Sequence, residues 1–232
     1  MNPEALQIYS SLHFRIEKVP PDRPYTFINM VVTIDGKTVS GERGEPVHDL
    51  GSEVDHFLMR RIEDAADAVL IGASSQRSTA KITFGNRLIR IVATRSGNLL
   101  YPSLFFDEAP DKAYVLCPES CEVKKLPSSV KIIRSGKTEI VWKETFRILR
   151  EELGIERLLV EGGSDINGQL LKEDLVDELF ITIAPKVKLG ENVPTLAGGA
   201  PLPRENLLRF TLFEHHVVDD EVFLIYRRVR RK

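Results

Sequence analysis

The chain is short of cysteine, of tryptophan and of any excess of one charge. It has 232 residues with two Cys and one Trp. Cys117 and Cys121 bracket Pro-Glu-Ser, and no second Cys pair or histidine stands at metal-ligand spacing from them. A zinc-binding framework is therefore not expected, and the pair reads as loop thiols in a reducing cytosol. Lys and Arg number 32 against 34 Asp and Glu, a formal charge of −2. Nucleic acid and anionic membranes need a basic face, so neither is an expected partner.

Long apolar runs are also missing. Residues 1 to 27 carry Glu4, Arg15, Glu17, Lys18, Asp22 and Arg23 where a signal peptide needs an apolar core. The most apolar stretch, Ala65 to Ala73, is broken by Asp67 and falls far short of the ~18 residues of a membrane span. The expectation is a soluble, cytoplasmic protein. Gly-x-Ser-x-Gly, G-x-G-x-x-G and Gly-Lys-Ser/Thr do not occur, which argues against an α/β-hydrolase elbow, the dinucleotide fingerprint and a P-loop. The histidines, His56 and the pair His215-His216 among them, lack ligand spacing with an acid or Cys, so no metal site is expected.

What is present is an alternation of short apolar strands with amphipathic helices in a chain long enough to bury a single core. Residues 1–24, with Pro20, Pro21 and Pro24, read as an extended N-terminal arm, and residues 25–232 as one domain. Tyr25 to Thr33 is a buried strand stopped at Asp35-Gly36, and 37 to 51 is a long loop. Ser52 caps a helix whose Val54, Phe57, Leu58, Ile62 and Ala65 share a face. Strands follow at Ala68 to Ile71, Leu88 to Thr94, Ala113 to Cys117 and Val130 to Ile133. A helix from Trp142 to Leu153 ends at Gly154, placed for a left-handed C-cap. Arg157 to Glu161 is a strand, Asp165 to Glu173 a helix, and Glu178 to Ala184 a strand. Leu207 to His216 and Val222 to Arg228 form an antiparallel hairpin about Asp219-Asp220. The fold class is α/β: a mixed, mostly parallel sheet flanked by helices, with an antiparallel finish.

Four segments can carry chemistry. Leu159-Val-Glu-Gly-Gly-Ser-Asp-Ile-Asn-Gly168 joins a strand to a helix through a glycine pair, a form that lets backbone N–H groups converge on an anion. A side chain at Gly163 would obstruct that approach, and the turn is one where positive φ is expected. Thr33, Asp35 and Lys37 stand at the carboxyl end of the first strand, where ligands of open α/β sheets bind, although Asp-Gly equally makes a turn. Val69-Leu-Ile-Gly-Ala-Ser-Ser75 ends a strand in small residues that admit a flat or phosphorylated ligand or simply form a loop. Val92-Ala-Thr-Arg-Ser-Gly97 places a guanidinium after a strand.

Taken together, Asn29-Met-Val-Val-Thr-Ile-Asp-Gly-Lys-Thr38, Ala66-Asp-Ala-Val-Leu-Ile-Gly72, Val160-Glu-Gly-Gly-Ser-Asp-Ile-Asn-Gly168 and Leu175-Val-Asp-Glu-Leu-Phe-Ile-Thr-Ile-Ala-Pro185 resemble the reductase domain of riboflavin biosynthesis. That dihydrofolate-reductase-like domain is fused to a deaminase in many bacteria, and the resemblance covers about residues 25 to 228. It implies NADPH-dependent reduction of the ribosyl group of a ribosylaminopyrimidine 5′-phosphate to ribityl, by a homodimer. The deaminase zinc motif, His-x-Glu with Pro-Cys-x-x-Cys, is not in this chain.

By position, the resemblance places Gly162, Gly163, Ser164, Asp165, Ile166, Asn167, Gly168 and Gln169 around the cofactor's pyrophosphate. Ser75, Thr94 and Arg95 also fall at the cofactor, Arg95 toward the 2′-phosphate, and Val31 and Thr33 at the nicotinamide side. Glu161 falls beside the substrate, and Asp35 and Glu161 are the carboxylates nearest the reacting centre. Two positions depart from the family: its usual acid aligns with Thr79, and its substrate-binding arginine with Glu63. Arg60, one helical turn earlier, is the substitute expected for that arginine. A pterin or dihydrofolate-type reductase and a non-catalytic nucleotide-binding protein are the alternatives.

Overall fold

The computed structural model describes residues 5–124 and 126–230. In chain order the elements are β1 (Tyr25–Thr33), α1 (Glu53–Ala65), β2 (Ala68–Gly72), α2 (Ala73–Ser78), β3 (Ile89–Ala93), α3 (Leu104–Asp107), β4 (Ala113–Cys117) and β5 (Lys131–Arg134). They continue with α4 (Trp142–Glu151), β6 (Arg157–Val160), α5 (Ser164–Lys172), β7 (Glu178–Ala184), β8 (Arg209–Val218) and β9 (Glu221–Val229). The strands make one sheet in the order β5-β4-β3-β2-β6-β1-β7-β9-β8. It is parallel from β5 to β7 and antiparallel across β7, β9 and β8. The single α/β domain with a mostly parallel sheet is thus as the alternation of elements predicts.

Side chains alternate along each strand, so the inner strands must be apolar on both faces to sit between two helical layers. Phe27 of β1 faces one cluster with Val69, Ile71, Val92, Leu159 and Phe180, closed by Leu58 and Ile62 of α1. Its neighbour Ile28 faces the other, with Leu70, Ile91, Leu116, Leu158 and Val160, closed by Trp142, Phe146 and Leu149 of α4 and by Ile166 and Leu170 of α5. The Ser52 hydroxyl caps α1 by accepting from Val54 N at 3.1 Å and Asp55 N at 3.3 Å, a contribution of about 1 kcal/mol. The same serine donates to Glu221, so the last hairpin anchors the start of α1. Gly154 takes the left-handed conformation expected of it, with φ +66°.

Three expectations need correction. Residues 5 to 24 do not run as an extended arm. Ile8 and Tyr9 are buried, Tyr9 packs edge-on against Phe180 at 5.4 Å and Phe14 stacks on Phe27 at 4.5 Å. Arg23 closes this segment onto the body with both guanidinium nitrogens on Asp177 at 2.8 Å. The apolar residues of this segment are few, but the sheet face bounded by Phe27, Phe180 and Phe223 needs a cover, and they supply it. The small residues after β2 form a helix, Ala73–Ser78, not a loop. Cys117 ends β4 and is not a loop thiol, while Cys121 lies in the loop that follows and packs against the same core; both are buried. Among the described residues, no helix is long and apolar enough to cross a membrane.

Candidate active site

The carboxyl ends of the parallel strands β2, β3 and β6, together with Asn29, Met30 and Val31 of β1, which runs on past the end of β6, open into a cleft of about 700 Å³. β2 and β6 remain paired to the point where the chain turns: Glu161 N donates to Leu70 O at 3.1 Å and Gly72 N donates to Gly162 O at 2.8 Å. Gly162 takes φ +74°, and the Gly162–Gly163 peptide is cis. Gly163 has φ −76°, so the left-handed residue of the pair is Gly162, contrary to expectation. A Cβ on Gly162 would lie 3.1 Å from Met30 Sδ, and one on Gly72 would lie 3.3 Å from Gly163 N. Both positions hold glycine because the turn packs against the Met30 side chain of β1 on one side and the β2 backbone on the other.

From this turn α5 starts with Gly163 as its N-cap and no side chain to satisfy the first N–H groups. Gly163, Ser164, Asp165 and Ile166 line the cleft, so this end is built of uncapped backbone donors at the positive end of a helix dipole. Ser75 of α2 stands across from it, its Oγ 3.5 Å from where a Gly163 Cβ would be. Thr94 and Arg95 also line the cleft. Arg95 is mostly exposed and pairs with exposed Glu139 at 3.1 Å, a contact weak enough to be given up to a ligand phosphate. Gln169 accepts from Trp142 Nε1 at 2.8 Å, and both line the cleft. An anionic dinucleotide therefore fits this end: bare backbone donors, a hydroxyl and a loosely held arginine, with the Asp165 carboxylate paired with Arg43 at 3.0 Å.

The other end is acidic. Glu161 follows β6, and its Oε1 is buried without a hydrogen-bond partner. Burial first, and the Glu63 charge second, push its carboxyl up to about 8, while Arg60 and the Asn29 amide oppose the rise. Glu63 is 4% exposed and receives Arg60 Nη1 on both oxygens, at 3.1 and 2.7 Å. Burial also raises Asp55, despite its hydrogen bond with Thr182.

Of the residues singled out in the sequence, Val31, Arg60, Ser75, Thr94, Arg95, Glu161, Gly163, Ser164, Asp165, Ile166 and Gln169 line the cleft, as do the departures Glu63 and Thr79. Others do not. The Asp35 carboxylate is a turn group: it accepts from Thr33 Oγ1 at 2.6 Å and from the N–H groups of Lys188 and Leu189 at 3.1 and 2.8 Å. The Thr33 bond, followed by those backbone donors, lowers its pKa to about 2. Thr33 is buried and accepts from Lys37 N at 2.8 Å, so it closes the same turn. Asn167 is buried under the cleft floor, donating to Leu196 O at 2.8 Å, and a Cβ on Gly168 would lie 1.9 Å from Gly198 O. These two seat α5 on the 194–199 loop.

The sequence reading missed His48, Arg43, Lys81 and, on the cleft face of α1, His56 and Met59 as site residues; these recur with Arg60 and Glu63 at spacings of three and four. That stripe lies beside the apolar face that was noticed, and its period was available.

The chain is 28% identical over 210 residues to the 2,5-diamino-6-ribosylamino-4(3H)-pyrimidinone 5′-phosphate reductase of Aquifex aeolicus, covering 84% of this chain and 92% of that protein. Its fold is that of the riboflavin biosynthesis reductase Rib7 of Saccharomyces cerevisiae, with TM-score 0.71, 20% identity and coverage of 98% and 99% of the two chains. The RibD of Acinetobacter baumannii superposes with TM-score 0.75 at 18% identity over 90% of this chain, which spans 59% of that longer protein. Both structural likenesses concern the fold. The family model of the RibD C-terminal domain matches residues 24–224, and the chain belongs to that family.

Proposed function

We propose that this chain is an NADPH-dependent reductase that converts the ribosyl group of a ribosylaminopyrimidine 5′-phosphate to ribityl. One observation carries the reading: Glu161 and Gly163, two residues apart at the end of β6, put a carboxyl with one buried, unpartnered oxygen next to an uncapped helix start. The relatives named above, whose names specify a pyrimidinone phosphate reductase and a riboflavin biosynthesis reductase, support it.

In this reading the backbone of Gly163, Ser164 and Asp165 holds the pyrophosphate, Ser75 flanks it, Arg95 meets the 2′-phosphate and Val31 lies at the nicotinamide. Bound there, the cofactor supplies a hydride. The protein's own work is to align donor and acceptor in a cleft closed by the sheet ends, and to furnish a proton. Turning ribosyl into ribityl opens the sugar ring and creates a hydroxyl, which requires that proton. A carboxyl that stays protonated up to about pH 8 is suited to give it at neutral pH, and Glu161 is that group. Asp35, fixed outside the cleft with its pKa near 2, has no part in this chemistry.

Two copies acting as a homodimer belong to the same reading. The outer strand β8 exposes Leu212, Phe213 and Val217, apolar side chains that a second copy would cover. A single-chain mass by light scattering at micromolar concentration would remove this part.

The test of function is absorbance at 340 nm with NADPH and the ribosylaminopyrimidine 5′-phosphate, with dihydrofolate in a parallel arm. Oxidation with the first substrate alone is expected. Oxidation with dihydrofolate alone, or with neither while NADPH still binds, would replace the reading by the pterin or the non-catalytic alternative.

A further inference from the structure

Arg60 and Glu63 are one turn apart on α1, on the face lining the cleft that also holds Glu161. Arg60 Nη1 bonds both oxygens of Glu63, at 3.1 and 2.7 Å. Glu63 is buried, so water cannot easily replace that arginine, and the pair is held together by the cost of leaving one charge alone. Glu161 is left without the cation, its Oε1 buried and unpartnered. An ionised carboxylate in that condition is costly, whereas a neutral carboxyl is tolerated.

The groups that face Glu161 can be named element by element. From α1 come Asp55 and Glu63, which oppose a second negative charge, and Arg60, which favours it; burial raises Glu63 as well, and the hydrogen bonds and charge of Arg60 are what oppose that rise. From β1 comes the Asn29 amide, which also favours it, and β2 (Ala68–Gly72) carries no charged residue. The balance turns on where Arg60 points.

We propose that Glu63 is a positioning residue: by holding Arg60 it withholds that cation from Glu161, and so keeps Glu161 in its protonated, hydrogen-bond-donating form. Glu63 thus sets the protonation of the acid across the cleft. The inference rests on the reductase reading only for the use made of the proton; its placement holds with the cleft empty of ligand.

Carboxyl ¹³C NMR of the full chain labelled at glutamate Cδ reads this placement without cofactor or substrate, Glu161→Gln identifying the signal. In the parent, Glu161 is expected to titrate at about 8. In Glu63→Gln the freed Arg60 turns to Glu161, and the midpoint falls by at least about two pH units. Adding Arg60→Met to Glu63→Gln returns it to the parent's level or above, and Glu63→Asp, which keeps the charge, stays within about one pH unit of the parent. The alkaline limb of kcat moves down with the midpoint in Glu63→Gln, an effect that simple loosening of α1 would not give. A parent midpoint in the ordinary carboxylate range, an unmoved midpoint in Glu63→Gln, or an equal fall in the double variant would overturn the proposal. If Glu63→Gln does not fold, the parent midpoint still decides. The expected midpoints together with no turnover of the ribosylaminopyrimidine phosphate would refute the function and leave the role of Glu63 standing.

Discussion

Gly72 donates its N–H to the carbonyl of Gly162 at 2.8 Å, which carries the β2–β6 ladder one pair beyond the end of β6. The glycine turn is therefore held by the sheet itself, and the start of α5 is aimed into the cleft by main-chain bonds. Its donors are preorganised before any ligand arrives.

Gly163→Val tests what those donors do. With φ −76° and only Ser75 Oγ near its Cβ, at 3.5 Å, the position has room for a side chain. The variant is expected to melt within a few degrees of the parent and to bind NADPH at least about tenfold more weakly, a difference of roughly 1.4 kcal/mol. A folded variant with parental affinity in a fluorescence titration would reduce the glycine pair to a turn.

Arg95→Ala should cost NADPH roughly 1.5–3 kcal/mol of binding, the worth of a charge-assisted bond to the 2′-phosphate, and leave NADH unchanged. The exposed pair with Glu139 contributes little to stability, so the melting temperature should hardly move. Equal losses for the two cofactors would place Arg95 elsewhere than at the 2′-phosphate.

Much of this was legible in the sequence because it is local. The strands Ala113–Cys117 and Glu178–Ala184 are apolar runs bounded by turn residues, and they form at those limits. Val-Glu-Gly-Gly-Ser names its own turn. What failed was long-range. Asp35 and Glu161 both follow a buried strand, and only the 186–189 segment, which donates two N–H groups to Asp35, separates turn acid from cleft acid. Tyr9 and Phe14 looked like an arm because the surface they cover joins Phe27 to Phe180, a residue far along the chain from both. α2 carries too few apolar residues in Ala-Ser-Ser-Gln-Arg-Ser for any period to show.

The segment before β1 should be integral to stability. Asp177 takes both nitrogens of Arg23, the N–H of Thr26 at 2.9 Å and Arg230 at 2.7 Å, and is itself buried. Asp177→Ala leaves a buried arginine and a strand N–H unpaired, an expected loss of about 3–5 kcal/mol in urea unfolding. A loss under about 1 kcal/mol would mean that Arg23 finds water instead.

Glu161 should make stability depend on pH in a particular sense. Its folded value of about 8 lies above its ordinary 4.5, so between them the native state binds the extra proton and stability falls as pH rises. Glu161→Gln cannot ionise and loses that slope. The melting temperature of the variant relative to the parent should rise from about pH 5 to about pH 8. A difference that stays flat across that range would place the Glu161 carboxyl in contact with solvent.

The reductase assignment meets its most direct test in isotope transfer. The full chain is incubated with the ribosylaminopyrimidine 5′-phosphate and NADPH carrying deuterium at the transferable position, and the product is weighed by mass spectrometry. The account predicts a ribityl product holding one deuterium, formed by the parent and lost in Gly163→Val at subsaturating cofactor. A product without deuterium, or unchanged substrate beside a protein that binds NADPH, would contradict it.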